Sequence, residues 1–424
     1  MDTRLLAPVG LVLAALLAPP ALAAAGAPPA SVHVEAAARV TYDANVFLQD
    51  GGALVSGAAA TAPVRAGAWV ASAAAGASWT GTAPLGRFEL GYRAEVFRFS
   101  GLAGENHDDH RVRAALAGAG GTASWDVALN ALWTNGAHLA PLYNIVGGGP
   151  AIGGEPVRAR RAQTVIKGSA RATWAQDGGW WRVLAAGLDQ DFHTGFASGC
   201  AAYVDRAEYT AGAEFARDLR PGLAWVAGVR AGRQIQADRP PTAGLNSTSD
   251  LVRVVAGVEG KLSPQWKVDL RAGPDFRSFT DAQPAALGRH RTAPYVEASV
   301  GWTPDAADAV ALTGLHRLWP ASSGRGVYED STWELGWKRR LGAQWSARVA
   351  ERFADGDNHR DAYPGTKPWH DQILTTTCAL EYRWSKAVLL DASIAREAGE
   401  GLLPNTPGRA FTRVLCSVGV SGTW

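Results

Sequence analysis

Residues 413–424 read RVLCSVGVSGTW, and they alternate. Val414, Cys416, Val418, Val420 and Trp424 share one parity, and Arg413, Ser417, Ser421 and Thr423 share the other. A period of two is the signature of a β-strand with one apolar face and one small or polar face. Chain ends are usually loosely held and polar. A strand that runs to a tryptophan raises the question of what it is tied to.

The same alternation recurs along the chain in runs of about ten residues. In SVHVEAAARVTY the residues Val32, Val34, Ala36, Ala38, Val40 and Tyr42 share a face. In RFELGYRAEV they are Phe88, Leu90, Tyr92, Ala94 and Val96, and in WDVALNALWT they are Trp125, Val127, Leu129, Ala131 and Trp133. WKVDLRAG and QILTTTCALEYRW repeat the pattern, and no sustained helical period is present. Strands are expected near 31–43, 64–80, 86–99, 110–118, 125–134, 158–175, 180–192, 203–216 and 223–236. The second half of the chain adds 249–262, 266–277, 292–302, 309–319, 328–339, 345–353, 370–384, 388–397 and 410–424.

Short connections (81–85, 119–124, 176–179, 217–222, 263–265, 303–308, 340–344, 385–387) alternate with long ones. One rim of tight turns and one rim of loops is the anatomy of a transmembrane β-barrel. The expected fold is therefore all-β: an antiparallel up-and-down barrel of about 18 strands, within a range of 16–18. The tryptophans agree with it. Trp79, Trp125, Trp174, Trp180, Trp181, Trp225, Trp266, Trp302, Trp337, Trp345, Trp384 and Trp424 all lie near the short turns or the C-terminus. Folded up, they form one aromatic girdle at the membrane surface, where an indole keeps its ring in lipid and its N–H in water. The last strand would close the barrel, because an open sheet edge in hydrocarbon leaves backbone groups unpaired. The repeat of about 40 residues is also that of a propeller blade, but a blade needs four short strands per repeat.

The first residues, MDTRLLAPVGLVLAALLAPPALA, carry Arg4, an apolar run over Leu5–Leu17 and then Ala21-Leu22-Ala23. This reads as a secretory signal over 1–23, leaving one barrel domain over 24–424. The net charge of +2 argues against nucleic acid. Three widely spaced cysteines, Cys200, Cys378 and Cys416, are no disulfide framework. Cys378 and Cys416 are expected to face lipid, separated by the strand at 388–397.

The signal, the alternation over nearly the whole mature chain and the terminal aromatic resemble the bacterial outer-membrane β-barrel porins. TYDANVFL (41–48) is similar to a segment of the β-barrel porin type-2 proteins. The resemblance implies a Gram-negative outer membrane and its lipid as surroundings. It also implies that Val420 and Trp424, with the rest of the last strand, are read by the barrel-assembly machinery.

GENHDDHR offers Glu105, His107, Asp108, Asp109 and His110 in a long connection, and DGDNHRD offers Asp355, Asp357, Asn358, His359 and Asp361 in another. Both read as solvated loop tips. The second also lacks the distal glutamate of a calcium loop. No metal, cofactor or enzymatic activity is expected.

The face opposite the apolar one carries Arg39, Glu89, Arg93, Glu95, Asp126, Lys167, Arg171, Arg230, Arg253, Asp269, Arg271, Glu297, Glu381, Arg383 and Arg413. Such a row cannot face lipid cheaply. It either forms cross-strand ion pairs or lines a wet pore, and the two are compatible. A barrel of about 18 strands is too wide for side chains to fill. The expected function is a channel passing small polar solutes. The alternatives are an exopolysaccharide secretion pore and a non-conducting structural barrel. The longest connection, 135–157, carries Leu142, Tyr143 and Ile145 and is expected to fold inward as a constriction. Solute identity and oligomeric state are not legible.

Overall fold

A computed structural model describes residues 30–46, 66–136, 162–193, 205–237, 247–280, 288–320, 327–358, 369–401 and 411–424, and the backbone of 151–152 and 155–156. The alternating runs become strands β1 (Ser31–Asp43), β2 (Ala68–Ala83), β3 (Gly86–Phe99), β4 (His107–Gly120), β5 (Ala123–Asn135) and β6 (Gln163–Gln176). Next come β7 (Gly179–Phe192), β8 (Arg206–Arg220), β9 (Leu223–Gln236), β10 (Ser249–Lys261), β11 (Trp266–Phe279) and β12 (His290–Trp302). The last six are β13 (Asp308–Pro320), β14 (Val327–Arg340), β15 (Trp345–Asn358), β16 (Trp369–Arg383), β17 (Val388–Gly401) and β18 (Phe411–Thr423).

Each strand pairs antiparallel with its neighbours in the chain, and β18 pairs with β1, so the 18-stranded sheet closes on itself. The closing seam is what holds the terminal tryptophan. Trp424 N–H donates to the Val34 carbonyl and Val34 N–H to the Trp424 carbonyl, each at 2.9 Å. The turns at one rim are tight. At Asp177-Gly178, between β6 and β7, Gly178 takes φ +71°, the left-handed region a two-residue hairpin needs.

Parity sorts the side chains as expected. Trp79, Trp125, Trp174, Trp181, Trp225, Trp266, Trp302, Trp337 and Trp345 share the outward face near the short-turn rim, with Trp424 beside them. Trp266 stacks on Trp302 at 5.5 Å between centroids. Trp180 departs from the expectation. It sits one residue before Trp181, so its ring points inward, where the Arg182 guanidinium lies 3.9 Å above it.

Several ladders run further toward the loop rim than the apolar alternation does. β15 extends to Asn358 rather than 353, and β4 begins at His107 rather than 110. The barrel wall rises above the lipid zone there, so outward positions turn polar while backbone pairing continues. His107, Asp108, Asp109 and His110 are accordingly strand residues, not a loop tip. Alternation puts His107 and Asp109 inside and Asp108 and His110 outside. Asp355, Asp357 and Asn358 likewise belong to β15, whereas His359 and Asp361 lie outside the described residues.

The loop-rim end of the β13–β14 hairpin leaves the wall, its two strands still paired as far as Pro320–Val327. β12 and β13 pair only from Val296–His316 to Trp302–Val310, although β13 continues to Pro320. Pro294 is the reason. It has no N–H to give the ladder. Its partner Pro274 coincides with a second gap, between Arg253–Asp275 and Ala256–Ala272 in the β10–β11 ladder. Freed above His316, the end of β13 turns into the barrel. Leu318 packs with Phe279, Ala293 and Val327 and is 1 % exposed. Its carbonyl accepts from Gln234 of β9 (3.1 Å) and Arg277 of β11 (3.0 Å).

Candidate functional site: the charged lumen

The residues opposite the aromatic face are brought together by closure. Arg182 on β7 reaches Glu259 on β10 at 2.8 Å, a contact only the concave side of the sheet permits. Arg39, Glu89, Arg93, Glu95, Asp126, Lys167, Arg171, Arg230, Arg253, Asp269, Arg271, Glu297, Glu381, Arg383 and Arg413 all fall on this inner parity. They do not form one uniform lining.

From β7 to β12 many of the inner charges are stacked into a dry layer, with Glu297 and Asp269 at its exposed edge (side chains 48 % and 43 % exposed). Glu214 is 1 % exposed and accepts from Arg230 (2.8 Å), Arg271 (3.0 Å) and Arg182 (3.2 Å). Glu259 accepts from Arg182 and also from Arg271 at 2.5 Å. Arg230 goes on to Glu297 at 3.0 Å, and Tyr295 donates to the same carboxylate at 3.1 Å. Asp269 pairs with Arg271. Nearer the loop rim, Glu208 clamps Arg253 through both guanidinium ends (3.0 and 3.1 Å), and Arg253 continues to Asp275, which holds Arg277 at 2.6 Å. Trp319, on the inturned end of β13, is sandwiched by Arg317 at 3.9 Å and Arg206 at 5.1 Å. On this side the buried charges and Trp319 pack against one another over the inner wall.

From β1 to β7 the described side chains leave the lumen open. A cavity of about 680 Å³ lies against this wall, lined by inner residues including His33, Glu35, Glu89, Arg93, Arg113 and Lys167. Its ion pairs are wetter. Arg93 meets Glu35 at 3.1 Å and Arg113 meets Glu89 at 3.4 Å, with the Arg113 side chain 61 % exposed. Arg111 is neutralised by Asp109 at 2.6 Å and Glu95 at 3.3 Å, and Arg171 by Asp126 at 2.7 Å. Lys167 is exposed to the cavity and has no carboxylate within 4.0 Å among the described residues. Its neighbours in register are Asn130 and Leu188, neither of them charged. Lys167 therefore presents an ammonium with no carboxylate in contact to the cavity, whereas Arg111 takes two carboxylates.

The remaining wall, β14 to β18 and β1, holds Arg39 to Asp391 at 2.6 Å, Lys338 to Glu381 at 3.3 Å, and Arg413 to Asp43 at 2.6 Å. Arg383 shares the inner face with Glu381 near the short-turn rim. Cys378 and Cys416 are free and exposed on the outer face, with Ile394 of β17 between them in register.

Leu142, Tyr143 and Ile145 lie outside the described residues. Their connection is represented by a two-residue antiparallel pairing, Ala151–Ile152 with Glu155–Pro156. That backbone lies against β15 and β16, across the barrel from β5 and β6, between which it is strung.

At the loop rim, Asp205 accepts the Phe192 N–H at 2.8 Å. Burial, with Asp191 and Asp189 nearby, pushes its carboxyl up to about 6 against the pull of that N–H. At the opposite rim, Asp305 is held below the usual range by the N–H groups of Asp308 and Ala307.

Arg182, Arg206, Arg317 and Trp319 were not singled out as site residues from the sequence. Arg182 had a readable signal, since it alternates with the outward Trp181 and Val183. The inward turn at Trp319 did not, beyond the proline in TAPYVE.

No family model matches the sequence, and no curated protein matches it. Among solved structures, the chain is similar to the outer membrane protein OpdK from Pseudomonas aeruginosa, at 10% identity over 93% of this chain and 99% of that one, with a TM-score of 0.45. OccK9 (OpdG) of the same organism gives 12% identity over 93% and 98%, with a TM-score of 0.47. Acinetobacter baumannii OccAB4 gives 10% over 93% and 98%, with a TM-score of 0.43.

Proposed function

We propose that this protein is an outer-membrane channel through which small polar solutes diffuse along the β1–β7 side of the lumen, with a preference for anions. The observation that carries the reading is the cavity of about 680 Å³ inside the closed barrel, walled by exposed ion pairs and by the unpaired Lys167. A hydrated passage needs polar groups that replace part of a solute's hydration without trapping it. Half-exposed pairs such as Arg113–Glu89 do this, because each partner still has free hydrogen-bonding capacity facing water. The Lys167 ammonium tips the local potential toward anions. The dry charge layer on β7–β12 acts differently: most of its charged side chains are engaged with one another, although buried atoms such as Arg277 Nη1 and Asp275 Oδ1 have no hydrogen-bond partner among the described residues, so it narrows and stiffens the wall rather than conducting. The roles of Arg39, Glu89, Arg93, Glu95, Asp126, Lys167 and Arg171 as channel lining rest on this division.

The connection over 135–157 narrows the passage. Its hairpin backbone against β15 and β16 supports a course across the lumen or its mouth. Residues 1–23 are a secretory signal removed on export, and Val420 and Trp424 are recognised during barrel assembly. The outward aromatic belt and the closed backbone ladder support a membrane-spanning location. Reconstitution into planar bilayers tests the whole reading. Discrete conductance steps with a reversal potential on the anion side are expected, and correctly folded barrel that never conducts would refute it. Deletion of 141–153 should raise single-channel conductance.

A further inference from the structure

Outward-pointing acids and guanidinium groups on the described strands sit within four residues of a strand end, with two exceptions. Most of those end-groups are also paired: Arg98 with Asp108 at 2.8 Å, Arg233 with Asp250 at 3.7 Å, and Arg339 with Asp308 at 3.5 Å. The exceptions are Glu351 on β15 and Arg396 on β17. Both are exposed, and neither has an ion-pair or hydrogen-bond partner among the described residues. Glu351 lies between Phe353 above and Val349 below on the outer face. In register its row falls between the Trp333–Phe353 and Trp337–Val349 pairs. That is inside the apolar belt, where a carboxylate in contact with lipid is costly.

The two residues share one row. Glu351 pairs in register with Thr376 of β16, and Thr376 with Arg396. They therefore lie two strands apart, about 10 Å. Arg396 is eight residues up its strand from Val388, and Glu351 is six up from Trp345. Just below them the outer wall is hollowed into a groove of about 600 Å³, lined by residues such as Val349, Cys378, Leu380, Ile394, Cys416 and Val418.

We propose that the outer face of β15–β17 is the dimer interface for a second copy of this chain, with Glu351 of each copy paired to Arg396 of the other. A two-fold contact must be self-complementary: whatever stands to the left of the axis meets what stands to its right. With the axis parallel to the membrane normal and in front of β16, Glu351 on one side of the axis meets the partner's Arg396 on the other, and the roughly 5 Å of depth that strand tilt puts between them is within reach of the arginine side chain. Both charges are thereby satisfied, and the partner's apolar side chains enter the groove. An acid and a base flanking an uncharged central strand is the arrangement such an axis requires. A lipid phosphate would suit Arg396 but would leave Glu351 worse off.

The axis places one native probe. Cys378 is on the central strand, one outward position below Thr376, so the two copies of Cys378 approach each other, whereas the copies of Cys416 do not. In the full chain carrying Cys200→Ser and Cys416→Ser, a short bismaleimide applied to outer membranes should link Cys378 to its partner. A companion experiment co-expresses two differently tagged copies and measures co-purification of heat-modifiable, folded barrel. Glu351→Arg alone and Arg396→Glu alone should each lower it at least tenfold. Co-expression of the two single variants together should restore it, because one copy is then basic at both positions and the other acidic at both, so each contact across the interface joins opposite charges. Rescue only when both reversals are in one chain would overturn the proposal in favour of an intramolecular pair. Wild-type protein that neither crosslinks nor co-purifies would overturn it outright, as would co-purification unaffected by Arg396→Glu while bound lipid is lost. If the reversed variants do not fold, the Cys378 crosslink decides alone, since it leaves both charges in place.

Discussion

Replacing Glu214 with alanine tests whether the dry charge layer on β7–β12 is a structural unit. Glu214 is 1 % exposed and serves three guanidinium groups, whose side chains are 13 % (Arg230), 8 % (Arg182) and 4 % (Arg271) exposed. Breaking a buried pair from one side costs about 3–5 kcal/mol, because the charge left behind is uncompensated. Here the cost is expected at the low end, about 3 kcal/mol. Arg182 and Arg271 keep Glu259, and Arg230 keeps Glu297. Glu214→Gln preserves the volume and one acceptor and should cost clearly less. The control is Glu89→Ala, which removes the exposed partner of Arg113 and should cost less than about 1 kcal/mol. Urea titration of barrel folded into lipid vesicles, followed by tryptophan fluorescence, gives the midpoints and slopes. If Glu214→Ala and Glu89→Ala agree to within about 1 kcal/mol, the distinction between a dry half and a wet half of the lumen is wrong.

Lys167→Glu should reverse the sign of charge selectivity in bilayers while leaving thermal stability unchanged, because Lys167 has no ion-pair partner among the described residues to lose; Arg171→Glu, which abandons Asp126, should also lower stability. Deleting Trp424, or replacing it with Asp, should sharply reduce heat-modifiable barrel in the outer membrane, since the residue pairs with Val34 at the closing seam; normal yield of the deletion would exclude an assembly role. The raised pKa of Asp205 makes the folded state bind the proton more tightly than the unfolded chain does. Its contribution to stability is therefore full below about pH 4 and is lost as the pH rises through about 6. Partial exposure limits the loss to about 1–2 kcal/mol. Asp205→Asn should flatten stability over that window, and an unchanged pH profile would remove Asp205 as its cause.

Much of the architecture was legible in the sequence because the two faces of a membrane barrel meet opposite solvents. Lipid outside and water inside impose a strict period of two, so the outward Val414, Cys416 and Val418 and the inward Arg39, Glu89 and Arg171 could be sorted by parity alone. The reading failed where that contrast fades. Above the lipid zone both faces are wet, so the ends of β4 and β15 looked like loops. Trp180 was misplaced because composition, not parity, assigned it to the girdle. Two features carry almost no local signal. The Arg182–Glu259 contact spans three strands and depends on the curvature of the closed wall. The inturned end of β13 follows from Pro294, on a neighbouring strand, withholding one N–H.

An open, anion-preferring passage along β1–β7, beside a β7–β12 wall packed with its own charges, has an electrical signature. Single-channel recording of the purified barrel under a salt gradient reads it, with Lys167→Glu and Glu214→Gln compared with wild type. Steady conductance is expected, with a reversal potential that Lys167→Glu shifts toward cations and that Glu214→Gln, in the packed layer, leaves nearly unchanged. A barrel that is folded and silent, or one whose selectivity follows Glu214 rather than Lys167, would refute the passage.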